Sequence, residues 1–210
     1  MAGIAAQTER IPLEHGELLL IENWLSPAAA DNAFAALHEQ TAWEQSIITI
    51  AGRQLPIPRL NAWYGDPGTA YSYSGTRFEP RPWSGALASL KEAVQQTINE
   101  QLPGLDFHIN SALLNLYRDG ADGVGWHSDN EASLGPRPQI ASLSLGGSRR
   151  FLLKPRRGAG KTAELELRSG ALLLMLGELQ AHWLHSIPKT RRPVEPRINV
   201  TFRQVFPGRA

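Results

Sequence analysis

A chain of 210 residues that is 42% hydrophobic is long enough to bury one substantial core, and its formal net charge is only +1. With no cysteine it forms neither disulfides nor thiolate metal sites, so any metal must be held by His, Asp or Glu. No apolar run approaches the roughly 18 residues of a membrane helix, and "MAGIAAQTER" lacks the basic start and apolar middle of a secretory signal, so a single-domain, monomeric, intracellular protein with no membrane partner is expected, cytoplasmic or, in a eukaryote, nuclear.

In chain order, the first well-signalled element is a helix in "SPAAADNAFAALHEQ". Ser26 is its cap, Pro27 occupies the first helical position, and Phe34 and Leu37 share a face. The next stretch, "SIITIAGRQLPIPRLNAWYGDPGTAYSYSGTRFEPRPW", consists of short β-prone runs broken by Gly and Pro, which predicts hairpins. A second helix follows in "SGALASLKEAVQQTINEQLPG", with Leu87, Leu90, Val94 and Ile98 at helical spacing and Pro103-Gly104 as its stop. Beyond it the character changes to strands only: "FHINSALLNLYR", "QIASLSLG", "RRFLLKP", "TAELELRSG", "ALLLML", "HWLHSIP" and "RINVTFRQV". Closely spaced strands with turn signals between them predict an antiparallel sandwich or jelly roll.

Chemistry concentrates in "GVGWHSDNE". If "GWHSD" is extended, His127 and Asp129 point to the same side and converge. A third ligand can come from His182 or His185 in "QAHWLHSIP"; these lie on opposite faces of a strand, so at most one joins. Two His and one carboxylate on one side of an ion leave positions open, which suits Fe(II) binding a co-substrate and oxygen, and equally admits zinc. In "PRINVTFRQV", Arg197, Asn199, Thr201 and Arg203 alternate with Ile198, Val200 and Phe202. One face is therefore apolar and the other is a receptor for a carboxylate, because guanidinium binds it bidentately. "LLNLYRDG" repeats the pattern, with Asn115 and Tyr117 on one face and Leu114 and Leu116 on the other.

Together, "NLYRDGADGVGWHSDNE", "HWLHSIP" and "PRINVTFR" resemble the AlkB family of Fe(II)- and 2-oxoglutarate-dependent nucleic-acid dealkylating dioxygenases, near the animal members that act on duplex DNA. The resemblance spans about residues 64–203. It implies an α+β, mainly β fold: a double-stranded β-helix (jelly roll) core at about 105–206, supported by N-terminal helices, with a β-hairpin nucleotide-recognition lid at about 42–85. It implies Fe(II) on His127, Asp129 and His185, with His182 a neighbour, and 2-oxoglutarate on Asn115, Tyr117, Arg197, Asn199, Thr201 and Arg203. The implied reaction uses O2 to remove methyl groups from N-alkylated DNA bases such as 1-methyladenine and 3-methylcytosine, releasing formaldehyde, succinate and CO2.

A lesion on the pairing edge of a base is out of reach inside a duplex, so the base must be flipped out or presented on a single strand. "YSYSG" resembles the family's substrate lid, which implies Tyr73 stacking on the base opposite His127, with Tyr71 nearby. Glu131 and Asn130 are candidates for its exocyclic amine. "ITIAGRQLPIP" aligns with the hairpin that duplex-acting members insert, although its tip, Ile50, Ala51 and Gly52, carries no aromatic wedge. Arg59 and the pairs Arg149-Arg150 and Arg191-Arg192 are candidate phosphate contacts. "RRGAGKT" is not a phosphate-binding loop, since Pro155 stands where that motif needs its first Gly and "AELELRSG" after it alternates like a strand. The same chemistry on RNA or protein, and a non-catalytic binding module on this scaffold, are the alternatives.

Overall fold

The computed structural model describes residues 5–50, 52–73, 76–158, 160 and 162–208. It opens with a hairpin, β1 (Gln7–Leu13) and β2 (Gly16–Glu22), where the sequence pattern predicts no element. "ELLLIE" is a continuous apolar run without alternation, and such a run does not declare its period. Helix α1 (Pro27–Gln40) follows, its Ser26 hydroxyl accepting from the Ala29 N–H at 3.3 Å as predicted. Next come β3 (Ile47–Ile50), β4 (Arg53–Pro56), β5 (Leu60–Gly65), β6 (Tyr71–Tyr73) and β7 (Thr76–Phe78). Helix α2 (Gly85–Gln101) buries Leu87, Leu90, Val94 and Ile98, the predicted face.

The remaining strands are β8 (Ser111–Tyr117), β9 (Val124–His127), β10 (Ile140–Gly146), β11 (Arg149–Pro155), β12 (Ala163–Leu167) and β13 (Leu172–Gly177). A single helical turn, α3 (Leu179–His182), leads into β14 (Trp183–Ile187), and β15 (Arg197–Arg203) completes the described strands. Seven strands pair in the order β1-β2-β13-β10-β15-β8-β5, and four in the order β12-β11-β14-β9. Every ladder between named strands is antiparallel. Two facing antiparallel sheets of this kind are a jelly roll.

The seven-stranded sheet is covered on both sides, and this explains its near-continuous apolar strands. On one face Leu19, Leu114, Leu143, Leu174, Ile198 and Val200 pack with Leu37 of α1 and Leu87, Val94 and Ile98 of α2. On the other, Leu18, Leu20, Leu173 and Met175 meet Phe151, Leu153, Leu167 and Trp183 of the smaller sheet. Since successive residues of β2 and β13 serve opposite cores, "LLLI" and "LLLML" are apolar throughout. Strand β15 sits between β10 and β8, so its arginines are buried, not solvated.

Candidate active site

The inner face of β15 and β8 forms the floor of a cavity between the two sheets. Asn115, Tyr117, Arg197, Asn199, Thr201 and Arg203 line it, while Ile198, Val200 and Phe202 enter the helix-side core. Antiparallel register sets Asn199 opposite Asn115 and Arg197 opposite Tyr117, and the row continues from Asn115 to Asn61 on β5. Asn199 is fixed by its Nδ2, which donates to the Ser142 hydroxyl at 2.8 Å and to the Leu143 carbonyl at 2.9 Å. Ser144 accepts from Arg197 Nη2 at 2.9 Å. These serines stand at alternate positions of "QIASLSLG"; the same period-2 reading that selects the β15 residues would have found them.

Across the cavity, β9 and β14 pair with His127 directly opposite His185, and the two rings lie 4.2 Å apart between centroids. Asp129 follows just past the end of β9. Its backbone N–H donates to Gln180 Oε1 at 2.9 Å, and its carboxylate accepts from Arg203 Nη2 at 2.8 Å. One ligand atom from each of His127, Asp129 and His185 lies within 4.8 Å of the others. His127 Nδ1 is 2.9 Å from the Gly125 carbonyl, which can only accept, so Nδ1 carries the proton and Nε2 keeps its lone pair for a metal.

The loop that delivers His127 is built for close approach. A Cβ on Gly120 would lie 2.3 Å from the Thr190 carbonyl oxygen, and one on Gly123 would lie 2.8 Å from that of Ile187. Arg149 ties the loop down by donating to the carbonyls of Asp122 at 2.8 Å and Pro188 at 2.7 Å.

Charge is distributed unevenly over this site. Burial opposes ionisation of Asp129, yet the Arg203 guanidinium beside it holds its carboxyl far below the usual range. Burial, reinforced by the neighbouring His127, pushes His185 down to about 3, and burial also lowers His127, so both imidazoles are neutral and able to ligate at neutral pH. Arg197 is 1% exposed, and burial lowers it to about 10. Its Nε and Nη1 have no hydrogen-bond partner among the described residues. A buried cation with two unused donors facing a cavity calls for an anion there. Two neutral imidazoles with a carboxylate fit Fe(II), and Arg197 fits the carboxylate of a small dicarboxylate.

In the metal-free protein the folded state keeps His185 neutral where the unfolded chain takes up a proton. Stability contributed by this group should therefore be full above about pH 6.5 and decline as the pH falls toward 3. Urea unfolding of the metal-free chain across that range should show a steeper profile than His185→Gln; equal slopes would refute the assignment.

Several predicted residues stand elsewhere. His182 ends α3 instead of lying on a strand, is exposed, and stacks on His15 with ring centroids 3.9 Å apart. Arg59 is buried, because its Nε donates to Asn115 Oδ1 at 2.9 Å; it belongs to the cavity wall and is not a surface phosphate contact. Arg149 is likewise consumed by carbonyls, and Arg150 forms a two-bond pair with Glu164 at 2.6 and 2.7 Å. Arg191 and Arg192 are exposed. Glu131 is half-buried at the start of the turn Ala132–Leu134, and Asn130 is exposed. Gly52 is an open turn position with φ 76°, whereas Ala51 and the side chains of Ile50, Tyr71 and Tyr73 lie outside the described residues. The sequence reading gives no role to Ile47 and Ile48 of β3, which line the cavity, or to Gln180. Replacing Gln180 with Ala should weaken Fe(II) binding about 10–100-fold, read by anaerobic titration. Unchanged affinity would mean that Asp129 is positioned without it.

Residues 17–203 match the family model described as the 2OG-Fe(II) oxygenase superfamily. The chain belongs to this superfamily. Among curated proteins, this oxygenase is 33% identical over 190 residues to the DNA oxidative demethylase ALKBH2 of Mus musculus, covering 86% of the chain and 77% of the relative. Against the alpha-ketoglutarate-dependent dioxygenase alkB homolog 3 of Bos taurus it is 39% identical over 187 residues, covering 85% of the chain but 62% of the relative's length. Against the Homo sapiens homolog 3 it is 36% identical over 205 residues, covering 93% and 68%. These similarities place it in the AlkB family. The solved structure of OsALKBH1 shares the fold, with a TM-score of 0.59 at 19% identity over 93% of this chain and 100% of that one. The protein is thus a dioxygenase of the kind that uses Fe(II), 2-oxoglutarate and O2. No described helix is long and apolar enough to cross a membrane.

Proposed function

We propose that this oxygenase demethylates N-alkylated DNA bases of the 1-methyladenine and 3-methylcytosine type by direct reversal, inside the cell, with formaldehyde, succinate and CO2 as products. The observation that carries the reaction type is the His127, Asp129 and His185 cluster sharing one cavity with the unsatisfied donors of Arg197. The DNA substrate is supported by similarity to proteins named DNA oxidative demethylase.

Iron and 2-oxoglutarate, when bound, supply the activation of O2 and the oxidation of the methyl C–H bond. The chain's own residues supply position and electrostatics. His127, Asp129 and His185 hold the metal, and Arg203 keeps Asp129 ionised. Arg197 receives the far carboxylate of 2-oxoglutarate, with Asn115, Tyr117, Asn199 and Thr201 around it; Arg59 orients Asn115. The base approaches past Ile47 and Ile48, toward Tyr71 and Tyr73, with Asn130 and Glu131 on the β9 side. Ile47 of β3 is 55% exposed and Leu55 of β4 is 45% exposed, so the β3–β4 hairpin is apolar enough to press on a base stack. Arg191 and Arg192 serve phosphates.

The test is anaerobic loading with Fe(II) and 2-oxoglutarate, then oxygen and an oligonucleotide carrying 1-methyladenine, single-stranded or paired, with base mass followed. Loss of one methyl group that depends on both iron and 2-oxoglutarate is the expected result. Succinate without demethylation would move the substrate to RNA, protein or a small molecule.

A further inference from the structure

Outside the cavity, a second group of metal-ligating side chains meets where the β1–β2 turn abuts α3. His15 sits in that turn with φ 66°, a left-handed conformation unusual for a residue with a Cβ. Two hydrogen bonds fix it there: the Glu178 N–H donates to the His15 carbonyl at 2.8 Å, and Trp183 Nε1 donates to the Glu14 carbonyl at 2.9 Å. The joint is tight, for a Cβ on Gly16 would lie 2.4 Å from the Leu176 carbonyl oxygen. Across it, one helical turn sets Glu178 and His182 on the same side, with Oε2 and Nε2 3.5 Å apart. The His15 and His182 rings stack at 3.9 Å with 22° between their planes. One ligand atom from each of His15, Glu178 and His182 lies within 4.8 Å of the other two, and all three residues are exposed, so a hydrated ion reaches them without opening the fold.

We propose that His15, Glu178 and His182 form a second metal site, for a divalent transition ion such as Zn2+ or Co2+, separate from the iron centre. Two imidazole nitrogens and a carboxylate suit this class of ion, whereas Mg2+ and Ca2+ prefer all-oxygen sets. Water can complete the coordination, or the Glu14 carboxylate, whose Oε1 is 3.4 Å from His15 Nε2. An ion here pins the N-terminal hairpin to α3. The same turn of helix carries Gln180, the residue that holds the Asp129 main chain, so occupancy stiffens the support of an iron ligand.

The experiment uses the full chain carrying His127→Ala and Asp129→Ala, which disables the iron site, titrated anaerobically with Co2+ and then with Zn2+. One equivalent should bind, with the visible absorption of a coordinated Co2+ ion and a rise in Tm. In the same background His182→Ala should weaken binding about 100-fold, and so should His15→Asn, a substitution that tolerates the left-handed backbone. No binding in the background chain, or binding unchanged by either substitution, would overturn the proposal. If the background chain does not fold, the wild-type chain should take up two equivalents of Zn2+ and His182→Ala one; equal stoichiometry in the two would likewise overturn it.

Discussion

Asp129→Ala is expected to release no formaldehyde above background, and also to unfold more easily. The carboxylate serves two partners at once, a metal and Arg203, whose Nη2 lies 2.8 Å away in a pair only 3% and 5% exposed. Removing one member of a buried ion pair typically costs about 3 kcal/mol, because the remaining charge loses its counterpart where water compensates poorly. For a chain of this size that is a fall in Tm of roughly 6–12 °C. Asp129 is thus both a candidate metal ligand and one half of a buried ion pair with Arg203. Formaldehyde release and thermal unfolding, measured on the same preparation of metal-free and iron-loaded protein, check both parts. A variant as stable as wild type would mean that the pair contributes no net stability.

Arg197→Met is expected to act in opposite directions on binding and on folding. Burial of a guanidinium with unused donors at Nε and Nη1 is unfavourable until an anion arrives. An apolar side chain of similar length should therefore leave the ligand-free protein unchanged or up to about 2 kcal/mol more stable. Binding of 2-oxoglutarate loses two charge-assisted hydrogen bonds of about 1.5–3 kcal/mol each, hence roughly 10²–10⁴-fold in affinity. Calorimetric titration with 2-oxoglutarate on the iron-loaded variant reads the first effect, and urea unfolding without ligand reads the second. If the variant binds 2-oxoglutarate like wild type, the carboxylate receptor is another residue, with Arg203 next in line.

The two helices and most strands after Pro103 are legible because each buries one face or alternates cleanly, so the period appears in the residue order; "ALLLML", apolar on both faces, is legible from the turn signals around it. The hairpin β1–β2 is not, since "ELLLIE" feeds two cores at once and the edge strand β1 holds Pro12 without a ladder donor. His182 is misread as a strand residue because nothing local marks the four-residue turn α3.

The sequence by itself determined which residues share a face: Arg197, Asn199, Thr201 and Arg203 on β15, Asn115 and Tyr117 on β8, because side-chain direction in a strand is a local property. Its motifs, taken jointly, also determined the family. Only the tertiary structure decided that His127 faces His185, that Arg203 ion-pairs with Asp129, and that Arg59 and Arg149 are spent on Asn115 and on carbonyls. Those pairings depend on strand register and burial, which are set by contacts between residues far apart in the chain. For the same reason a cation that looks free in the sequence becomes a structural one wherever the fold places an acceptor within 3 Å of it.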